Sequence, residues 1–272
     1  MEELSEKQIL LKKQLQRLRG DPLSAPDASI VIPVNAQNDI SNAYRLLTDI
    51  AGYVGAKVFE IILVINNYPL DNPPREIEMH EQLGVEIIGI PHVEHEGEVI
   101  IAARIPGIRL AKSQVILLFD ADCRIPNPTN LFDWYVTEFA NGCDLAYTHV
   151  DYTDLPPAIS VKARIFVHHA SRWFRRTILH IPTSRGSNYA IRKELILELF
   201  RNRRILHEIQ VGPAVKSIGG KISYSGAKDL VVLTSGRFFS QGWKVLITYL
   251  IWRIRFYLRV FRMKSKSAIP PE

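Results

Sequence analysis

Short apolar runs alternate with amphipathic stretches through the first half of the chain. SIVIPV (29–34), FEIILVIN (59–66), VEIIGI (85–90) and QVILLF (114–119) are rich in aliphatic and β-branched residues. Continuous runs of this kind are typical of strands covered on both faces. Residues 38–53, 74–83 and 98–111 carry helical patterns between them. Strand and helix in alternation predict an α/β fold, a Rossmann-like, open and mostly parallel sheet flanked by helices.

The ends of the chain differ from this frame. Leu4, Leu11, Leu15 and Leu18 recur at near-heptad spacing, so residues 1–21 form an amphipathic helix closed by the turn-rich RGDPLSAPD. Beyond residue 150 an arginine- and aromatic-rich helix over 158–179 leads to the loop HIPTSRGSNYAIR. Two helices around the basic RNRR follow, then strands near KISYS and LVVLT and a basic terminal helix. The organisation expected is one domain over 22–236, in two parts split at 150, with a helical C-terminal appendage over 237–272.

With 47% hydrophobic and 23% charged residues, the 272-residue chain can bury a sizeable core. Two cysteines, Cys123 and Cys143, make no disulfide framework and suit a reducing compartment as small buried hydrophobes. The first fifteen residues mix acids with lysines, unlike a signal peptide, and VLITYLIW (245–252) is stopped by Arg253 well short of the ~20 residues of a membrane span. A cytoplasmic protein is expected.

Charge is concentrated. Nine Lys or Arg face two Glu from Arg172 to Arg204, and eight face no acid from Gly236 to Lys266. The second half should therefore meet something anionic, or present a solvated basic face. On a wheel over 245–263, Arg255, Arg259 and Arg262 share one side, and Tyr249, Trp252, Phe256 and Val260 the next. Such a helix suits peripheral contact with an anionic inner membrane surface, or packing on the domain with a solvated rim. Nucleic acid is not expected, because no binding module accompanies the charge.

The chemistry concentrates in ILLFDADCRIP (116–126), where a strand ends in Asp120 and Asp122. Ligands of open α/β sheets bind outside the carboxyl ends of the strands, so Asn35, Asn66 and Asp120 should line one crevice. Two carboxylates at i and i+2 can converge on Mg2+ or Mn2+ that also takes substrate phosphates, and the small Ala121 permits close approach. The alternative is a pair of acids capping the turn before Pro126. No G-x-G-x-x-G follows the first strand, which disfavours a dinucleotide site. His92, Glu94, His95 and Glu96 read as a solvated loop, and the neighbours His168 and His169 point to different helix faces.

SIVIPVNAQNDI, AARIPGIRLAKSQVILLFDAD, RGSNYAIRKEL and HEIQVGPAVKSIGGKI, in that order, resemble the family-2 glycosyltransferases with the GT-A fold, over residues 28–235. The resemblance implies an inverting, metal-dependent transfer of a sugar from a nucleotide-sugar donor to an acceptor hydroxyl that it does not identify; the basic terminal helix would suit a lipid-linked or anionic acceptor. It makes 22–150 the nucleotide-sugar half and 151–236 the acceptor half. Pro33, Asn35, Gln37 and Asn66 would surround base and ribose, with Arg104, Asp120, Ala121 and Asp122 at the diphosphate. Asp122 and Asp120 would hold Mn2+ or Mg2+. Arg185, Gly186, Ser187 and Asn188 resemble the loop beneath donor sugar and acceptor, and Arg237 would cover the diphosphate.

Glu208 falls at the position of the family's general base, where His207-Glu208 replaces the usual Glu-Asp. A carboxylate in a first helical turn would also favour the helix dipole without any catalytic role. Amides replace acids at Asn35-Ala36-Gln37 and Asn66-Asn67. These exchanges keep open a nucleotide-sugar-binding protein without turnover, and the fold alone would also suit a sugar-phosphate nucleotidyltransferase.

Overall fold

The computed structural model describes residues 4–20, 24–69, 75–91, 99–245, 247–251 and 255. Helix α1 (Glu6–Arg19) begins at a capping box in which the Ser5 N–H donates to Gln8 Oε1 at 2.8 Å. Its Leu11, Leu15 and Leu18 are buried in the main core.

The strands and helices then alternate as β1 (Ala28–Asn35), α2 (Ile40–Ala51), β2 (Phe59–Asn66), α3 (Arg75–Gln82), β3 (Glu86–Ile90), α4 (Val99–Ala102), α5 (Ile105–Leu110) and β4 (Val115–Leu118). After α6 (Pro128–Ala140) come β5 (Leu145–Thr148), β6 (Val150–Thr153), α7 (Ile159–Thr177), β7 (Tyr189–Arg192) and α8 (Lys193–Arg201). A short 3-10 turn (Glu208–Gln210), α9 (Val211–Ser217), β8 (Ile222–Ser225), a second 3-10 turn (Lys228–Leu230), β9 (Val232–Ser235) and α10 (Arg237–Ser240) complete the described elements.

Seven strands form one sheet in the order β3-β2-β1-β4-β7-β5-β8, and β6 pairs with β9 apart from it. All pairs are parallel except those made by β7, which runs antiparallel between β4 and β5. The expectation of a mostly parallel sheet holds, and β7 is the strand concealed in RGSNYAIR. Alternate residues of β1 feed opposite cores: Ile30, Ile32 and Val34 pack with α1, α2 and α6 residues, and Val31 with residues of α5, α8 and α9. Burial on both faces explains why the runs are continuous rather than alternating.

The helix expected over 98–111 is broken into α4 and α5. Pro106 lies in the first turn of α5, where its missing N–H is harmless, and Arg104 donates its own N–H to the Ile101 carbonyl at 3.0 Å to close the intervening turn. Residues 92–98 lie outside the described set, with His92, Glu94, His95 and Glu96. So do 252–254 and 256–272, which hold most of the terminal basic wheel. Among the described residues no helix is long and apolar enough to cross a membrane.

Candidate active site at the carboxyl ends of the sheet

The crevice follows from strand pairing. β1 keeps register with β2 to its last pair, Asn35 with Asn66, but its ladder with β4 ends at Val31 and Leu118. Pro33, two residues on, has no N–H to donate, so the sheet opens at the point where strand order reverses. Asp120 and Asp122, just past β4, continue into this opening, while Phe119 between them and the strand is buried in the core.

A cavity of about 470 Å3 occupies it, lined by Pro33, Asn35, Asn66, Asp120, Ala121 and Asp122, with Arg237 from the C-terminal side. Asp39, which carried no sequence signal, and Asn67, the second amide standing where the family pattern has an acid, also line it. Asn67 has a φ of +57°, a left-handed conformation that asparagine tolerates. Gln37 is exposed in the turn after β1 and is not among the lining residues; its N–H donates to Asn35 Oδ1 at 2.9 Å.

Arg104 lies behind this cavity, 0% exposed, at the break between the two short helices. Gly107 lets α5 lie directly on the sheet, because a Cβ there would meet Val64 and Val31 side-chain atoms at 2.5 and 2.8 Å. The guanidinium so placed contacts the carboxylates of Asp120 and Glu208 and donates to the Gly186 carbonyl at 2.9 Å and the Phe119 carbonyl at 3.2 Å. One cation thereby joins the first aspartate, the glutamate and the loop before β7. Its charged form is reinforced by both carboxylates despite full burial.

Glu208 is only 4% exposed, at the start of the first 3-10 turn. Burial pushes its carboxyl up, to about 8, against the pull of Arg104, with Asp120 adding a further push upward. Tyr189, whose hydroxyl is buried, is shifted upward by burial and then by Glu208. A Cβ at Gly186 would collide with the Glu208 carboxylate, so that glycine belongs to the site for reasons of space.

Asp122 faces the other way. Its carboxylate accepts from Thr234 Oγ1 at 3.2 Å and lies 3.7 Å from Arg237 Nη2. Burial, then the charge of Asp120, raises its pKa. A second cavity of about 370 Å3, lined in part by Arg45, Arg124 and Asp154, shares Asp122 and Arg237 with the first. Ligand atoms of Asp120, Asp122 and Cys123 lie within 4.8 Å of one another. The Cys123 thiol is held protonated by burial and donates to the Ser187 carbonyl at 3.2 Å, so the hard donors are the two carboxylates. That oxygen set fits Mg2+ or Mn2+, and a cation there would relieve the repulsion that raises Asp122.

The remaining loop residues take varied places. Arg185 contacts the Tyr152 hydroxyl and lies 3.1 Å from His168 Nε2, away from the aspartates. Asn188 is 1% exposed; its Oδ1 accepts from the Tyr135 hydroxyl, and its Nδ2 donates to Thr148 Oγ1 at 2.5 Å. Ser187 is buried as well. His168 is buried against Phe239, and His169 stacks on His149.

A mixed, mainly parallel sheet with paired carboxylates at its switch point defines a GT-A-type transferase domain. The model of the glycosyl transferase family 2 matches residues 29–199, well over half of the chain, and the chain belongs to that family. The fold is similar to that of the mannosyltransferase PcManGT from Pyrobaculum calidifontis, solved with GDP-Man and Mn2+, with TM-score 0.52 and 14% identity over 97% of this chain and 84% of that one. S. aureus TarS is also similar, at TM-score 0.49 and 14% identity over 78% of this chain and 61% of the TarS chain. No curated protein matches the chain by sequence.

Proposed function

We propose that the protein transfers a sugar from a nucleotide-sugar donor to an acceptor hydroxyl, with inversion and with the help of a divalent cation. The observation that carries this reading is the cavity where Asn35, Asn66, Asp120, Asp122 and Arg237 converge at the switch point of the sheet. Binding of GDP-Man and Mn2+ by the similar mannosyltransferase supports it.

Pro33, Asn35 and Asn66 hold base and ribose through amide donors and acceptors. Asp122 and Asp120 hold Mn2+ or Mg2+, which when bound supplies positive charge to the donor diphosphate. Arg237 meets the same diphosphate from the opposite wall as the bond to the anomeric carbon breaks and charge builds on the leaving group. Glu208, once ionised, takes the proton of the acceptor hydroxyl while that oxygen attacks the anomeric carbon from the face opposite the nucleotide. Glu208 is 4% exposed and paired with Arg104, so this role requires the acceptor to separate that pair.

The test is a thermal-shift screen of UDP-, GDP-, ADP- and dTDP-sugars with and without Mn2+, followed by transfer assays with the stabilising donor. One donor should stabilise the protein, more so with Mn2+. Absence of any stabilisation overturns the donor assignment, and full transfer activity in Asp122→Ala overturns the cation's role.

A further inference from the structure

Helix α7 is built inside out. Its buried positions, Val161, Arg164, His168, Arg172 and Arg175, recur at helical spacing and are mostly cationic or polar. Two of them meet backbone carbonyls: Arg164 Nε donates to the Phe239 carbonyl at 2.7 Å and Arg172 Nη2 to the Thr183 carbonyl at 3.4 Å. The opposite face exposes Ile159, Phe166, Trp173 and Phe174, with Phe166 at 73% and Trp173 at 53%, and Ile178 and Leu179 are exposed just past the helix end. A water-facing helix has the reverse arrangement. An apolar face of this kind marks an interaction site.

α10 and the helical turns after it pack against α7, with Phe238, Phe239 and Leu250 joining Val161 and Ile165. They too leave large apolar side chains in the open, namely Trp243, Ile247 and Ile251. The same two segments expose the cations Lys162, Lys244 and Arg255. The sequence holds no Asp or Glu from Leu155 to Lys193, nor from Leu230 to Pro271. These two acid-free segments of aromatics and cations complement a surface that is apolar within and anionic at its rim, and the exposed Asp151, 3.7 Å from His169 Nε2 of α7, lies beside them. A second copy of this chain would oppose like charges, and a nucleic acid would leave the aliphatic residues without a partner.

We propose that this face docks the enzyme onto an anionic phospholipid bilayer, with the α7 aromatics entering the interface and the flanking cations meeting the headgroups. The inference is independent of the donor, cation and base assigned above. It is tested with the full chain by co-sedimentation with vesicles of phosphatidylglycerol in phosphatidylcholine, and with phosphatidylcholine alone.

Binding is expected to the anionic vesicles and should weaken about tenfold or more without anionic lipid or at high salt. The double variant Phe166→Ser/Trp173→Ser should lose about tenfold or more of that binding at an unchanged melting temperature. Because both side chains are exposed, folding should survive, and Lys162→Glu/Lys244→Glu gives a second variant that leaves every apolar contact intact. Three results overturn the proposal: no binding by the wild type, binding at the wild-type level by both variants, or a lipid-free dimer in light scattering that the serine variant dissolves. The last would identify a second copy as the partner.

Discussion

Replacing Gly186 by alanine tests whether the loop before β7 and Glu208 share one packed site. The added Cβ falls on the Glu208 carboxylate, which is 4% exposed and engaged by Arg104, so the side chain has no solvent to swing into. Overpacking of this kind costs on the order of 1–3 kcal/mol, and about 2 is a fair value for one methyl against one carboxylate. Glu208→Ala breaks a buried ion pair. With Asp120 still on the guanidinium the loss should sit near the low end of the usual range, about 3 kcal/mol. Independent effects would sum to about 5 kcal/mol, but without the carboxylate the methyl has room, so the double variant should lose only about 3. The assay is urea unfolding of the four proteins near pH 9, where the wild-type carboxyl, pushed up to about 8, is ionised. For a domain this large, about 2 kcal/mol of coupling is a difference of roughly 4–8 °C in Tm. Additivity to within about 0.5 kcal/mol would mean that the two residues do not touch, and the site geometry would fall with it.

Asp122→Asn should abolish the Mn2+-dependent part of donor stabilisation, which at about 100-fold excess over Kd amounts to about 2.7 kcal/mol; differential scanning fluorimetry reads it. The folded-state pKa of Glu208 lies above its ordinary 4.5, so its contribution to stability is full below that value and is lost as pH rises through about 8. Urea midpoints from about pH 5 to 9 should fall in the wild type and flatten in Glu208→Gln, while transfer activity rises over the same window. Asn188→Ala leaves the Tyr135 and Thr148 hydroxyls without their buried amide and should cost about 2–4 kcal/mol, with donor Kd unchanged in calorimetry.

The sheet was legible because its strands are buried on both faces: FEIILVIN coincides with β2 residue for residue. The carboxylates were legible because strand ends in open α/β sheets face the ligand. What stayed hidden depended on contacts between distant segments. Nothing near Arg104 in the sequence announces that its partners are Asp120, Gly186 and Glu208, and the break beside it arises where Pro106 starts a new helix on the sheet. Asn188 and Ser187 read as ligand-binding residues because turn chemistry and hydroxyl recognition use the same side chains, and both are buried. Thr234, the donor to Asp122, carried no signal at all within LVVLT.

Arg104 belongs to the first part of the chain, while Glu208 and the Gly186 carbonyl that share its guanidinium belong to the second. A fragment ending near residue 150 would keep both aspartates yet contain a desolvated cation short of one counter-charge. A chimera that borrows its later segment from another protein would inherit the same deficit unless the donor supplies an acid in that spot. The two portions are thus interlocked by charge as well as by the strand that β7 inserts between β4 and β5, and modular exchange between relatives must move both together.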